Sequence, residues 1–183
     1  ERVVDQLAEL YLKTDRLDEA EKLYEKAHQG DPQHSKWIAN LARVHLRQNK
    51  TDAFLADLAQ LADNDADNLA VRTTLAERWL VAADAAQAEK WARECLYVDV
   101  YSSSSHVLLG DAFALGKKPA EAVEEYRVAL TLKPKKPAEI KLKLAQALLD
   151  DGRKDDAKAT LDEILKVDPE HPEARALREQ MDL

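Results

Sequence analysis

The sequence predicts an all-α protein built as an array of helical repeats, and three observations carry this prediction. A large apolar residue followed by a small one recurs five times along the 183 residues. The small residues stand 34, 34, 34 and 35 positions apart, a period typical of stacked helix pairs. Few helix-breaking residues interrupt the chain, which has only 4 glycines. Its composition, 34% charged and 45% apolar, is typical of helical proteins with one buried face. The recurring pairs are Leu7-Ala8, Leu41-Ala42, Leu75-Ala76, Leu109-Gly110 and Leu144-Ala145.

Each repeat is predicted to hold two helices when the small residue is numbered as its eighth position. Positions 4, 7, 8 and 11 then share one face of a first helix, and positions 20, 24 and 27 share one face of a second. Small residues at positions 8 and 20 let the two backbones approach, and a large residue there should overpack at about 1–3 kcal/mol. The repeats cover residues 1–34, 35–68, 69–102, 103–137 and 138–171.

Turns and helix ends are expected at residues with suitable backbone preferences. Proline at position 32 lacks an N–H and restricts the preceding residue, so we expect Pro32, Pro134 and Pro169 to end second helices. The turn inside repeat 3 holds Ala83 and should be a soft point. We expect a capping helix over residues 172–183, although it could instead be the first helix of a sixth repeat. The turn residues within the repeats are Asp15, Asn49, Ala83, Gly116 and Gly152.

The aligned positions resemble the tetratricopeptide repeat (TPR) family over residues 1–171. Position 11 is apolar or aromatic in most repeats, and position 32 is proline in repeats 1, 4 and 5. The resemblance implies a right-handed α-solenoid of antiparallel helix pairs and a single array over residues 1–183. Because the chain opens directly into a repeat, we expect it to be a segment of a longer protein. The residues at position 11 are Tyr11, His45, Trp79, Phe113 and Leu148.

Composition and spacing argue against several classes of function. The net charge of −8 disfavours a nucleic acid ligand. No apolar run approaches the roughly 20 residues needed to cross a bilayer, so we expect no membrane insertion. The five histidines lack metal-site spacing. Cys95 and His106 could form a nucleophile and base, but Cys95 falls at a packing position. We therefore predict no catalytic, metal or cofactor residues, with a cytoplasmic or periplasmic location equally open.

The resemblance implies a protein-interaction scaffold whose first helices line a concave groove. We hypothesise that a partly apolar peptide or helix of a partner docks on repeats 2 to 4, with an acidic residue near Arg43 and Arg47. The alternative is that the apolar members of this set pack against neighbouring helices. The candidate groove residues are Lys36, Asn40, Arg43, Arg47, Thr73, Thr74, Glu77, Val81, Ser104, Val107, Leu108 and Asp111.

One subtype of the family can be compared residue by residue. Chaperone-binding members hold a C-terminal carboxylate with a clamp of lysine, arginine and asparagine side chains. Only Asn40 fits this clamp, whereas Asp5 and Glu9 would repel a carboxylate. We therefore expect no binding of chaperone tails that end in Glu-Glu-Val-Asp. Two further functions stay open: a recruiting or regulatory segment of a larger bacterial enzyme or envelope-assembly protein, and self-association through open repeat ends.

Overall fold

The computed structural model describes residues 2–181, and it forms eleven α-helices and no strand over that range. The odd-numbered helices α1 to α9 are the first helices of the repeats, and the even-numbered helices α2 to α10 are the second. The helices are α1 (Arg2–Lys13), α2 (Leu17–Gly30), α3 (Ser35–Arg47), α4 (Thr51–Asn64), α5 (Leu69–Val81), α6 (Ala85–Val98), α7 (Ser103–Leu115), α8 (Pro119–Thr131), α9 (Pro137–Asp150), α10 (Lys154–Val167) and α11 (Pro172–Gln180).

The chain divides into two compact units. The N-terminal unit is Glu1–Leu75, and the C-terminal unit is Ala76–Leu183. Within the N-terminal unit, α1, α2, α3 and α4 pack in chain order. Within the C-terminal unit, α6 to α11 pack in the same way. Each unit is therefore a stack in which every helix lies against its sequence neighbour, which is how helical repeats bury their apolar faces.

The core of the N-terminal unit follows the repeated packing positions. Ala8 and Ala20 are fully buried, and the Tyr24 ring lies 6.2 Å from the Trp37 ring between their centroids. Leu41, at position 7 of repeat 2, belongs to the same cluster. Leu7 occupies position 7 of repeat 1 and is 38% exposed. Position 7 is therefore buried where the preceding helix pair lies against it.

The core of the C-terminal unit needs a glycine at one point. A Cβ atom added to Gly110 would lie 2.6 Å from the Tyr126 ring, closer than real side chains approach. At the other end of this unit, Ala174 of α11 is fully buried against Leu161 and Ile164. The helix predicted over 172–183 thus covers the end of the core, while Asp182 and Leu183 lie outside the described residues.

Four of the five second helices, all but α8, are followed by an aspartate at position 31, whether or not a proline comes next. The helices α4 and α6 end like α2, although Ala66 and Val100 stand where Pro32 does. The backbone carbonyl of the aspartate at position 31 accepts the N–H three residues later, at 3.2–3.3 Å. Aspartates in such turns hydrogen-bond their own backbone and break the helix. They are Asp31, Asp65, Asp99 and Asp168.

The turns inside the repeats contain one left-handed residue each. It falls as predicted at Asp15, Asn49 and Ala83 with φ near 57°, and at Gly152. In repeat 4 it is Lys117 (φ 56°), because Gly116 has φ −76° and caps α7 instead. The 35-residue interval arises after α8, where Lys133 adopts φ 52° in a connection of residues 132–136.

Candidate functional site

The first-helix face of the N-terminal unit carries basic residues that are already paired. Lys36 contacts Asp5, and Arg43 contacts Glu9. Arg47 donates to the Leu12 carbonyl at 2.7 Å and to Asp15 at 3.0 Å. The cations lie on α3, and their partners lie on α1 or in the turn that follows it. These contacts therefore join the first helices of repeats 1 and 2. An acidic ligand residue would have to compete with these internal carboxylates.

The other predicted groove residues of this unit are polar and partly accessible. Asn40 is half-buried, and its side-chain oxygen accepts from Arg43 at 3.3 Å. Thr73 and Thr74 are half-buried on α5, and the Thr74 hydroxyl donates to the Ala70 carbonyl at 2.9 Å. These side chains offer hydrogen-bonding groups on the same helices as the paired cations.

In the C-terminal unit, the predicted groove residues differ in accessibility. Glu77, Val81 and Ser104 are exposed, and Val107 is half-buried. Leu108 is only 8% exposed, so it packs within the unit rather than facing a ligand. Leu108 therefore fits the alternative in which apolar residues of the predicted groove pack against neighbouring helices.

Asp111 lies at the centre of a hydrogen-bonded group on α7. Its carboxylate accepts from the Tyr126 hydroxyl at 2.7 Å and from the Lys143 ammonium at 2.6 Å. Burial and the nearby Asp111 charge both raise the pKa of Tyr126. The tyrosine therefore stays protonated and acts as a hydrogen-bond donor. The charge of Asp111 is balanced by the Lys143 ammonium, which approaches from the accessible side.

The N-terminal unit has a tyrosine and a carboxylate at the same repeat positions as Tyr126 and Asp111. They are Tyr24 at position 24 and Glu9 at position 9. Tyr24 is fully buried near the ion pair of Glu9 and Arg43. Burial raises the pKa of Tyr24, so this hydroxyl is also protonated. Within the described part of the chain, however, the Tyr24 hydroxyl makes no well-formed hydrogen bond.

A cavity of about 410 Å³ opens beside the first helix of repeat 5. It lies between α9 and α11, with apolar and polar side chains facing it. Leu142, Lys143 and Gln146 of α9 stand at positions where the family resemblance implies ligand contact. The full lining is Leu142, Lys143, Gln146, Glu173, Ala176, Leu177 and Gln180.

His45 was expected to pack as an aromatic core residue, and the structure buries it within a polar network. Its Nδ1 lies 2.6 Å from Asp57, and its Nε2 lies 3.2 Å from Glu21. Burial raises the pKa of Asp57 against the opposing hydrogen bond from His45. Burial alone would also raise the pKa of Glu21, but hydrogen bonds from Lys50, Gln48 and His45 outweigh it and lower that pKa.

Polar side chains at position 4 of repeats 3 and 4 hydrogen-bond to backbone carbonyls at or just after the end of the preceding helix. Arg72 is buried and donates to the Ala62 carbonyl at 2.9 Å and the Asp65 carbonyl at 2.8 Å. His106 donates from Nε2 to the Val100 carbonyl at 3.0 Å. Carbonyls in the last turn of a helix lack partners within the helix, and Arg72 supplies one to Ala62 of α4, while His106 binds a carbonyl of the turn after α6.

The nucleophile and base considered from the sequence, Cys95 and His106, are both buried in the described structure. Cys95 is completely buried, and both ring nitrogens of His106 are engaged by Glu125 and Val100. No group of three or more His, Cys, Asp or Glu side chains in residues 2–181 could hold a metal ion. Every helix over the same range is too short or too polar to cross a membrane.

The fold and the repeated packing positions define a helical repeat protein of the solenoid class. A family model described as "Tetratricopeptide repeat" matches residues 11–77 and 114–181. The chain therefore belongs to the tetratricopeptide repeat family. Proteins of this family are generally non-catalytic scaffolds for protein interaction.

Solved structures of other TPR proteins have the same fold. YrrB, described as "a TPR protein with an unusual peptide-binding site", has a TM-score of 0.75 at 14% identity, over 95% of this chain and 89% of its own. The MamA protein has a TM-score of 0.73 at 14% identity, over 90% of each chain. TTC0263, a thermophilic TPR protein of Thermus thermophilus, has a TM-score of 0.61 at 22% identity, over 98% and 97%. A search of curated proteins found no match.

Proposed function

We propose that the chain is a non-catalytic scaffold for protein–protein interaction that binds a peptide or helix of a partner on its first helices. The cavity between α9 and α11 is the observation that carries this proposal. Three side chains of the first helix α9 and four side chains of α11 line it, and its volume of about 410 Å³ lies within the range of ligand sites. The similar fold of YrrB, a protein described as having a peptide-binding site, supports the same class of ligand.

The proposed contact residues are Leu142, Lys143 and Gln146 of α9, which line the cavity, together with those predicted on the other first helices, taken unit by unit. Leu108 is left out because it is buried. Half-buried Val107 and exposed Ser104 supply a partly apolar surface on α7. The remaining members are Lys36, Asn40, Arg43, Arg47, Thr73 and Thr74 in the N-terminal unit, and Glu77, Val81 and Asp111 in the C-terminal unit.

Ligands of this surface should not be chaperone tails. Asp5 and Glu9 stand where a carboxylate clamp needs cations, and they already pair with Lys36 and Arg43. A ligand carboxylate would face two negative side chains here. Calorimetry with a peptide ending in Glu-Glu-Val-Asp should detect no binding, and a micromolar affinity would contradict this part of the proposal.

The surface can be tested with peptides selected from a displayed random library on the purified chain. Their affinities are then measured by calorimetry for Val107→Glu and Arg43→Glu. We expect about a tenfold loss in at least one variant, because each places a like or unpaired charge on the binding face. The matched control is Val167→Glu, an exposed valine on the second helix α10. The proposal would be overturned if the peptides bound both first-helix variants with unchanged affinity but bound the control variant more weakly.

A second candidate function, self-association, is favoured by one observation on α1. Val3, Leu7 and Leu10 follow helical spacing and are all exposed. Sedimentation velocity should then show dimers that Leu10→Glu returns to monomers. A chain that stays monomeric at millimolar concentration would exclude this candidate.

A further inference from the structure

The end of α6 and the turn after it expose an aromatic surface in the C-terminal unit. Tyr97 is 86% exposed and Tyr101 is 81% exposed, and Val100 between them is also exposed. A cavity of about 350 Å³ adjoins them, lined by Leu96, Tyr97, Val100 and Arg93. Leu96, Tyr97, Val100 and Tyr101 are called the tyrosine patch below. Tyrosine is enriched in binding surfaces because it offers a large apolar ring with a polar tip.

Hydrogen bonds restrain the backbone of the turn that carries the tyrosine patch. The Tyr101 N–H donates to the Asp99 carboxylate at 2.9 Å. The Val100 carbonyl accepts from His106, which also lies 2.7 Å from Glu125 of α8. A turn whose backbone is fixed in this way loses little backbone entropy when a partner binds.

Basic residues follow the end of α8, which contacts the turn of the patch. The Ser103 hydroxyl donates to the Ala129 carbonyl at 2.9 Å and so places this turn beside the last turn of α8. The chain leaving α8 carries three exposed lysines within residues 132–136. The acidic group in the patch turn is Asp99, which is engaged by the Tyr101 N–H. A basic and aromatic surface on a chain of net charge −8 favours an acidic ligand. The lysines are Lys133, Lys135 and Lys136.

We propose that the tyrosine patch is a second interaction surface, separate from the first helices, that binds an acidic segment of a partner protein. An aromatic or aliphatic side chain of that segment would enter the cavity beside Arg93. Its carboxylates would face Lys133 and Lys135. The lysines would speed association and select the charge of the ligand, while the tyrosines would supply most of the affinity.

The proposal is tested with two synthetic peptides that share the same Trp and Leu residues. One has Asp and Glu at the remaining positions, and the other has Lys. In amide NMR titrations of the whole chain, the acidic peptide should shift the signals of residues 96–103 and 132–136, and salt should weaken its binding. The proposal is overturned if these signals do not move, or if the basic peptide moves them equally.

Variants separate this surface from the first-helix surface. Tyr97→Ser with Tyr101→Ser should lower the affinity for the acidic peptide about tenfold or more. Lys133→Glu with Lys135→Glu should lower it and reduce its dependence on salt. Because these side chains are exposed, circular dichroism should show an unchanged fold. Val167→Ser, an exposed valine on α10, should bind as the unchanged chain does.

Other occupants of the patch give different results. Val107→Glu on α7 should not change binding of the acidic peptide, so failure of the first-helix proposal would leave this one standing. A dimer that disappears in the double tyrosine variant would assign the patch to a second copy of the chain. Tighter binding to phosphatidylserine vesicles than to the acidic peptide would assign it to a membrane surface. Either result overturns the proposal.

Discussion

Repeats 1 and 4 place the same kinds of side chain on the first-helix face, but they complete different hydrogen bonds. In repeat 4, the Tyr126 hydroxyl donates to Asp111 at 2.7 Å, and Lys143 of the next repeat neutralises that carboxylate. In repeat 1, Glu9 is neutralised by Arg43 of the next repeat, as Asp111 is by Lys143.

The tyrosine of repeat 1 does not repeat the contact that its counterpart makes. The Tyr24 hydroxyl is buried without a well-formed hydrogen bond in the part of the chain that is described. The eighth position differs as well, since Gly110 leaves room for the Tyr126 ring where Ala8 carries a methyl group. The two repeats therefore differ both at position 8 and in the contact that the tyrosine at position 24 makes with the carboxylate at position 9.

The largest difference between these repeats should appear at position 7. Leu109 is buried, so Leu109→Ala should lower the free energy of unfolding by roughly 2–5 kcal/mol through lost contacts and a cavity. Leu7 is 38% exposed, and Leu7→Ala should cost less than about 1 kcal/mol. Urea denaturation of both variants measures the two values. Equal costs would show that Leu109 is not at a central packing site.

Position 8 should give the next largest effect, with opposite changes that both destabilise. Gly110→Ala improves helix propensity, yet its methyl group would meet the Tyr126 ring, at a cost of about 1–3 kcal/mol. Ala8→Gly should cost about 1 kcal/mol through lower helix propensity. Thermal and urea denaturation test both. A Gly110→Ala variant more stable than the unchanged chain would contradict the proposed role of this glycine.

The buried network of the N-terminal unit should make its stability depend on pH. The folded-state pKa of Glu21 is lowered, so its contribution is present above its unfolded pKa and is lost as pH falls through the lower folded value. Glu21→Gln should therefore cost about 1–2 kcal/mol at pH 7 and little at pH 2. Glu25→Gln, an exposed change on the same helix, is the control. A cost independent of pH would contradict this account.

The two tyrosine hydroxyls should give the smallest and sharpest contrast. Tyr126→Phe removes the donor to Asp111 and should cost about 1 kcal/mol. Tyr24→Phe removes a buried hydroxyl without a well-formed bond, so it should be neutral or slightly stabilising. Urea denaturation of both variants under the same conditions measures the two changes in the free energy of unfolding. Similar losses would show that Tyr24 also has a partner in solution.

The fold could be predicted because the packing positions repeat in the sequence. Small residues at positions 8 and 20 are buried in each unit, as Ala20 and Ala122 illustrate. The helix ends were harder to predict, since the aspartate before Pro32 and before Pro169 carries the signal. Asp65 and Asp99 end their helices without any proline, and their recurrence at position 31 was visible in the sequence.

The candidate site was predicted less completely because charge pairing depends on which side chains meet across helices. Lys36 and Arg43 were expected to face a ligand, but each contacts a carboxylate of repeat 1. A usable signal did exist, since these partners stand 31 and 34 residues apart, close to one repeat. Leu108 lies on the predicted face but is buried, because position 6 of repeat 4 packs inward.

The central claim is that repeated positions serve packing while the remaining face of the first helices binds a partner. The most direct test is an amide NMR titration of the whole chain with a peptide selected for binding. The predicted result is that the shifted signals lie on first helices, either on α3 in the N-terminal unit or on α7 and α9 in the C-terminal unit. Shifts confined to the second helices α2, α4, α8 and α10 would contradict the claim.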